Sequence, residues 1–352
     1  MSYRVIQWST GNVGRFALRA ILQHPELELV GLWAHSEDKV GIDAGELCGL
    51  DPIGISATRD AEALLALAPD CVCYTATGDR RTGEAMEDLA RILASGANLV
   101  SCSVAALVHP KSVPKPMIEP LAEACRKGDS SFFASGIEPG FASDVLPLVL
   151  SGLSERWESI RIQEIINYAT YDQPELLFEA FGFGKPLDHT PPLLQPGVLG
   201  FAWGGSLHLM AEGLGLELEE IREVHDRKET EKAIRVGEHT LEPGTCGALR
   251  FEVQGIIGGK AALVVEHVTR LDDCLAPEWP SGAGGYRVTI EGTPRMQVEW
   301  EFEDELGDHT VGGVLITATR LVNAIPAVCE AEVGLLSVLD LPLITGRGLH
   351  AT

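Results

Sequence analysis

Near the start of the chain, Thr10, Gly11, Asn12, Val13 and Gly14 follow the apolar run Val5-Ile6-Gln7-Trp8 and open a helical stretch. Glycines at both ends of a tetrapeptide let the backbone turn tightly and approach a pyrophosphate. The free N–H groups and positive end of the helix would stabilise that charge. The spacing is GxxG rather than GxGxxG, and alone it would equally mark an ordinary strand-to-helix turn. Its weight comes from standing between a strand and a helix in a βαβ pattern, which predicts a bound dinucleotide.

The end of the second strand selects between NAD and NADP, because an acid there accepts the ribose hydroxyls whereas a 2′-phosphate needs donors and cations. The chain reads Trp33-Ala34-His35-Ser36-Glu37-Asp38-Lys39. No acid stands at the strand terminus, where His35 is a further cofactor-binding candidate, so Ser36 and Lys39 favour NADP and leave NAD open; a solvated loop of Glu37, Asp38 and Lys39 is the competing reading. Thr75, Ala76 and Thr77 after the next long strand, and Ser103 after the one following, are small enough for a nicotinamide ribose to lie across them. Cys102 has no activating neighbour in sequence and reads as packing.

Hydride exchange at nicotinamide C4 also needs a group that takes or gives a proton. Glu138 is the first candidate, since it follows the strand at 131–134 and precedes Pro139-Gly140 and a helix containing Val145. The competing reading is an acid near a helix start, stabilised by the dipole. Asp144, in the first turn of that helix, reads as a cap. His109 either lines the cleft or is a surface histidine before Pro110. Tyr168, Tyr171, Trp203 and His208 form an aromatic and polar wall for an apolar substrate, or are simply core. Asn323, at the expected end of a late helix, either meets the nicotinamide amide or caps that helix.

Short apolar runs at 3–8, 27–34, 54–57, 70–75, 97–102 and 131–134 alternate with helical stretches near 12–24, 60–67, 82–95 and 116–127. That order predicts an α/β fold, a doubly wound parallel sheet of Rossmann type in residues 1–150. From 151 to 310 the pattern changes. Arg295 to Glu303 alternates polar with apolar, a strand with one wet face. Similar strands are expected at 157–168, 248–256, 261–270 and 285–292, with helix between 174 and 225, giving a second α+β domain of largely antiparallel sheet. Residues 311–352 start with a helix over 311–329 and return to the first domain.

With 27 Lys and Arg against 51 Asp and Glu, a net charge of -24 disfavours nucleic acid and anionic membranes as partners. The eight cysteines form no CxxC pair and no zinc-ligand spacing, so no metal is expected. Cys71 and Cys73 would share one strand face as small core residues. No apolar run reaches membrane-spanning length and the first residues carry no long hydrophobic region or small-residue cleavage site, so the cytoplasm is the expected compartment.

Thr10 to Gly14, Ala34-His35-Ser36, Ser135 to Phe141, Tyr171-Asp172-Gln173-Pro174 and Asn323-Ala324-Ile325-Pro326 together resemble the dihydrodipicolinate-reductase-like proteins of actinobacteria. That group is similar to 2,4-diaminopentanoate dehydrogenases and native amine dehydrogenases. The resemblance spans nearly the whole chain and implies reversible amine oxidation or carbonyl reductive amination with NAD(P), in a homodimer. Two departures stand against a full transfer. Adjacent histidines, used by dihydrodipicolinate reductases proper, occur nowhere. The glutamate that the resemblance implies after the fifth expected strand is missing from Ser103-Val104-Ala105-Ala106-Leu107-Val108-His109. An NADPH-dependent carbonyl or imine reductase without ammonia use therefore stays open, as does a protein that senses NAD(P) without turnover.

Overall fold

The computed structural model describes residues 2–78 and 81–350. Two compact units emerge, one from the residues up to Phe141 together with those from Val314 onward, the other from Ala142–Gly313.

The first unit runs β1 (Tyr3–Trp8), α1 (Asn12–Gln23), β2 (Leu27–Trp33), α2 (Ala44–Leu47), α3 (Ala61–Leu65), β3 (Cys71–Tyr74), α4 (Thr82–Ala94), β4 (Asn98–Ser101), α5 (Lys115–Gly128) and β5 (Ser131–Ala134). Its six-stranded sheet has the order β14-β5-β4-β3-β1-β2, all parallel. β14 (Gly334–Leu336) is a three-residue edge strand from the end of the chain. Both faces are covered, as a parallel sheet requires. Val72 and Tyr74 pack with Leu89 and Leu121 on one side. Cys71 and Cys73 alternate to the other, against Leu18, Leu321 and Val322. The two thiols therefore sit on one face, fully buried.

The expected strand at 54–57 does not form. Pro52 and Gly54, the latter at φ +85°, interrupt the run, and the segment contributes only isolated bridges, Trp33 with Thr58 and Asp43 with Ser56.

The second unit contains α6 (Val145–Ser151), β6 (Arg156–Asn167), α7 (Val198–Gly213), β7 (Glu220–Glu229), a small hairpin of β8 (Ile234–Val236) and β9 (His239–Leu241), then β10 (Cys246–Ile257), β11 (Lys260–Arg270), β12 (Gly285–Thr293) and β13 (Met296–Glu301). The sheet order is β13-β12-β6-β11-β10-β7, antiparallel except between β6 and β11. Helix was expected through residue 225, yet β7 begins at Glu220. Its sequence EIREVHDRKE is too charged to announce a strand, and as an edge strand it tolerates that charge. α7 lies on the sheet face over β7, β10 and β11; Gly200 and Gly204 let it approach Ile221 and Glu223 of β7, and the Glu223 carboxylate accepts the Gly197 and Gly200 N–H groups at 3.0 and 2.5 Å.

α8 (His309–Cys329) is long and apolar enough to cross a membrane by length and composition, contrary to the sequence reading. Its Ala318, Leu321, Val322, Ala324, Ile325 and Val328 are buried in the first unit's core, which makes it a core helix.

Candidate active site

In the first unit the chain leaves β1 for β2 on one side and later for β3 on the other, so the carboxyl ends of β1 and β3 flank the topological switch point where open α/β sheets bind ligands. Gly11 to Gly14 stand at one of these ends. Arg15 N–H bonds the Gly11 carbonyl at 3.0 Å and opens α1, and it is the first-turn amides of a helix that are left to meet partners from outside it. No acid occupies the first turn. A Cβ on Gly14 would lie 2.3 Å from the Ser9 carbonyl oxygen and 2.8 Å from Thr75 Oγ1. The loop is thus pressed against both strand ends, and Ser9 adopts φ +84° within it.

Thr75 braces this cradle. Its hydroxyl donates to the Trp8 carbonyl at 3.1 Å and receives the Gln7 amide at 2.8 Å. Ala76 is half-buried and Thr77 exposed. Gly78 lies so close to Ser103 that a Cβ would be 2.2 Å from its carbonyl oxygen. Ser103 is buried, its hydroxyl directed at the Tyr74 carbonyl, 3.4 Å away. The residues at the ends of β1, β3 and β4 are thereby brought together.

Beyond β2, His35 and Ser36 are exposed and Lys39 half-buried. Lys39 Nζ reaches back to the Thr10 carbonyl at 3.0 Å, which places a cation beside the glycine loop. The bridge between Trp33 and Thr58 brings in Arg59, which pairs with Glu37 at 3.0 Å. Sequence spacing could not show this second cation.

Glu138 follows β5 in a turn closed by a hydrogen bond from Phe141 N–H to the Gly136 carbonyl at 3.0 Å. α8 clamps that turn, with Thr317 Oγ1 accepting from Ile137 N–H at 3.2 Å and Arg320 Nε placed 3.4 Å from Ser135 Oγ. Glu138 itself is half-buried in extended backbone at φ -158°. Asp144 caps α6, its carboxylate accepting from Val145 N–H. Asn323 lies inside α8, six residues before its end, because the helix continues through Pro326; it is half-buried and does not cap. His109 is buried rather than on the surface, at 6% exposure.

In the second unit, Glu164 is a buried carboxylate on the sheet face under α7. Tyr168 donates to its Oε1 at 2.5 Å and Tyr286 to its Oε2 at 2.6 Å, while His267 Nδ1 lies 3.3 Å from Oε1. The His267 ring stacks on Phe251 at 4.6 Å and meets Trp203 at 4.9 Å. Tyr171 packs on Tyr168 with ring centroids 4.9 Å apart. Three of the four expected wall residues, Tyr168, Tyr171 and Trp203, thus converge on or beside one carboxylate. His208 sits five residues beyond Trp203 on α7, turned about 140° from it at 3.6 residues per turn.

A family model described as the 2,4-diaminopentanoate dehydrogenase C-terminal domain matches residues 141–348. An amine dehydrogenase of Streptomyces virginiae is 45% identical over 346 residues, 96% of each chain. The chain belongs to the 2,4-diaminopentanoate dehydrogenase and amine dehydrogenase family. A 2,4-diaminopentanoate dehydrogenase of Acetoanaerobium sticklandii is 22% identical over 275 residues, 75% of this chain and 72% of that one. The amine dehydrogenase of Mycobacterium smegmatis shares the fold at a TM-score of 0.79, with 20% identity over 99% of this chain and 98% of its own.

In this family member the Ser103–His109 stretch is structural. Val104, Ala106, Leu107 and Val108 are all buried in the core cluster. Sequence reasoning missed Glu164, His267 and Tyr286, although a signal was present. Ile160, Ile162, Glu164 and Ile166 share one strand phase, as do Leu263, Val265, His267 and Thr269. An acid and a histidine each interrupt an apolar row.

Burial alone would raise the Glu164 carboxyl. The charge and hydrogen bond of His267 and the two tyrosine hydroxyls outweigh it and hold the group below the ordinary carboxylate range. On the opposite sheet face, burial likewise opposes ionisation of Glu252, and the hydrogen bonds of Arg161 and Gln254 with the charges of Arg161 and Arg250 overcome it. Both carboxyls have folded pKa values below the reference of 4.5. Their stabilisation is present above that pH and is lost as pH falls through the folded values. Melting temperature is expected to drop progressively below about pH 4.5 in a thermal series; a flat profile between about pH 6 and pH 3 would remove this account.

Proposed function

We propose that the chain is an NADP-preferring amine dehydrogenase that interconverts an amine and its carbonyl compound. The observation that carries this is the Gly11–Gly14 cradle at the switch point of a chain in this family. The Val13 and Gly14 amides hold the pyrophosphate. His35, Ser36 and Lys39 take the adenosine ribose, with Ser36 and Lys39 favouring a 2′-phosphate and NAD as the weaker cofactor. Thr75, Ala76, Thr77 and Ser103 line the nicotinamide ribose, and Asn323 addresses the carboxamide. When bound, the nicotinamide accepts or supplies the hydride at C4. Glu138, fixed by its clamped turn, takes and returns a proton of the reacting water. Tyr168, Tyr171 and Trp203 form the substrate wall.

The chain acts in the cytoplasm as a homodimer. Eight cysteines without a disulfide among the described residues support the compartment. The largely antiparallel sheet of the second unit supports a self-complementary interface; light scattering at twice the chain mass is the expected result.

Calorimetric titration with NADPH and NADH, followed by a carbonyl-plus-ammonia assay, tests the reading. NADPH should bind more tightly, and its oxidation should require ammonia. Glu138→Gln should lower that turnover by about 100-fold or more with NADPH affinity unchanged. The absence of a carboxylate from Ser103–His109 favours one rival, a carbonyl or imine reductase. Carbonyl-dependent NADPH oxidation indifferent to ammonia would establish that rival, and binding without any turnover would point to a sensor.

A further inference from the structure

Oxidation of an amine moves more than one proton. The alkylammonium must lose one before hydride can leave its carbon, and the water that later adds must lose another. Glu138, assigned to the water, leaves the nitrogen's proton without an acceptor.

The second unit offers one. Glu164 is 5% exposed, His267 5% and Tyr286 4%, whereas Tyr168 is half-buried. Of the two tyrosines bonded to the carboxylate, Tyr168 is the more exposed residue. It sits in the turn just beyond β6, held by its N–H to the Arg270 carbonyl at 2.8 Å, with Tyr171 and Phe181 against its ring. Strand alternation sends Arg161 and Arg250 to the opposite face, where they bond Glu252 and Glu266. On its own face the carboxylate meets the His267 ring, which packs against Phe251 and Trp203.

We propose that Tyr168 and Glu164 form a base relay for the substrate nitrogen, with Tyr168 as the catalytic residue and Glu164 and His267 as its support. The proposal rests on the amine dehydrogenase reading. In the step, the N–H bond of the alkylammonium breaks and its proton passes to the Tyr168 oxygen, while the Tyr168 O–H breaks and its proton passes to Glu164 Oε1. The ammonium and carboxylate charges become a neutral amine and a neutral carboxylic acid, and no electrons change hands. In the reductive direction the same two transfers run backwards. Tyr286 bonds the other carboxylate oxygen, Oε2, and stays outside the relay.

That asymmetry supplies the test. The holoenzyme and its Tyr168→Phe and Tyr286→Phe variants are assayed with 2-aminobutane and saturating oxidised cofactor, alongside calorimetric cofactor affinity and melting temperature. Each variant removes one hydroxyl from the same carboxylate, so a purely structural role predicts equal losses. The relay predicts that Tyr168→Phe loses about 100-fold or more in kcat with cofactor affinity unchanged, and that Tyr286→Phe stays within about fivefold. It also predicts that added imidazole partly restores the Tyr168→Phe rate in proportion to its concentration, which a packing defect would not show. Equal losses in the two variants, a Tyr168→Phe kcat near that of the parent, or a loss that imidazole leaves unchanged would each overturn the relay while leaving the dehydrogenase reading intact. A parent protein that binds NADPH and turns over carbonyl without amine or ammonia would overturn both.

Discussion

Replacing Gly14 with valine is expected to weaken NADPH binding by about 100-fold or more and to destabilise the fold by about 1–3 kcal/mol. The Cβ alone would meet the Ser9 carbonyl oxygen at 2.3 Å, and that neighbour is backbone, unable to rotate away. Either α1 moves off β1 or the loop bows outward, and both displace the amides proposed to hold the pyrophosphate. Losing two charge-assisted hydrogen bonds of roughly 1.5 kcal/mol each corresponds to about two decades in affinity. Calorimetric titration and thermal unfolding read the two effects separately. Retained tight binding would mean that the cradle is only a packing turn.

The other large effect is expected at Glu266, the fully buried acid of the second unit's sheet. Arg161 Nη1 reaches its Oε2 at 2.5 Å, Arg250 Nε its Oε1 at 2.7 Å, and Gln163 donates at 2.9 Å. Removing one partner of a buried pair leaves uncompensated charge, typically costing about 3–5 kcal/mol. Both arginine side chains keep about a third of their surface exposed, at 34% and 32%, so water can recover part of the loss. Glu266→Ala should therefore cost about 2–4 kcal/mol in denaturant unfolding. Replacing Arg161, Arg250, Glu252 and Glu266 together by leucine should recover most of it, because the network's desolvation cost goes with its attraction. If the single substitution costs under about 1 kcal/mol, the cluster behaves as a surface ion-pair array instead.

The parallel sheet was legible because its signals are local. An apolar run, a glycine loop and an amphipathic helix repeat within a short stretch, and Gly11 to Gly14 fall between the first strand and helix. β13 announced itself by alternation. The capping role of Asp144 followed from its place just before an apolar helix. Where the signal lies in residues adjacent in sequence, the sequence by itself determined the reading: a glycine loop between the first strand and helix, a second α+β unit and a late helix.

Only the tertiary structure decided the rest, because those features depend on pairing between distant segments. β7 is charged along its length and forms because β10 supplies a ladder of partners. β14 is three residues held by β5. Asn323 lies inside α8 because core contacts on both sides of Pro326 carry the helix onward. Arg59 meets Glu37 only through the bridge of Trp33 to Thr58. Glu164 lies on β6, His267 on β11 and Tyr286 on β12, so strand register alone brings them to one carboxylate. Register is a property of the folded sheet, and no spacing along the chain encodes it.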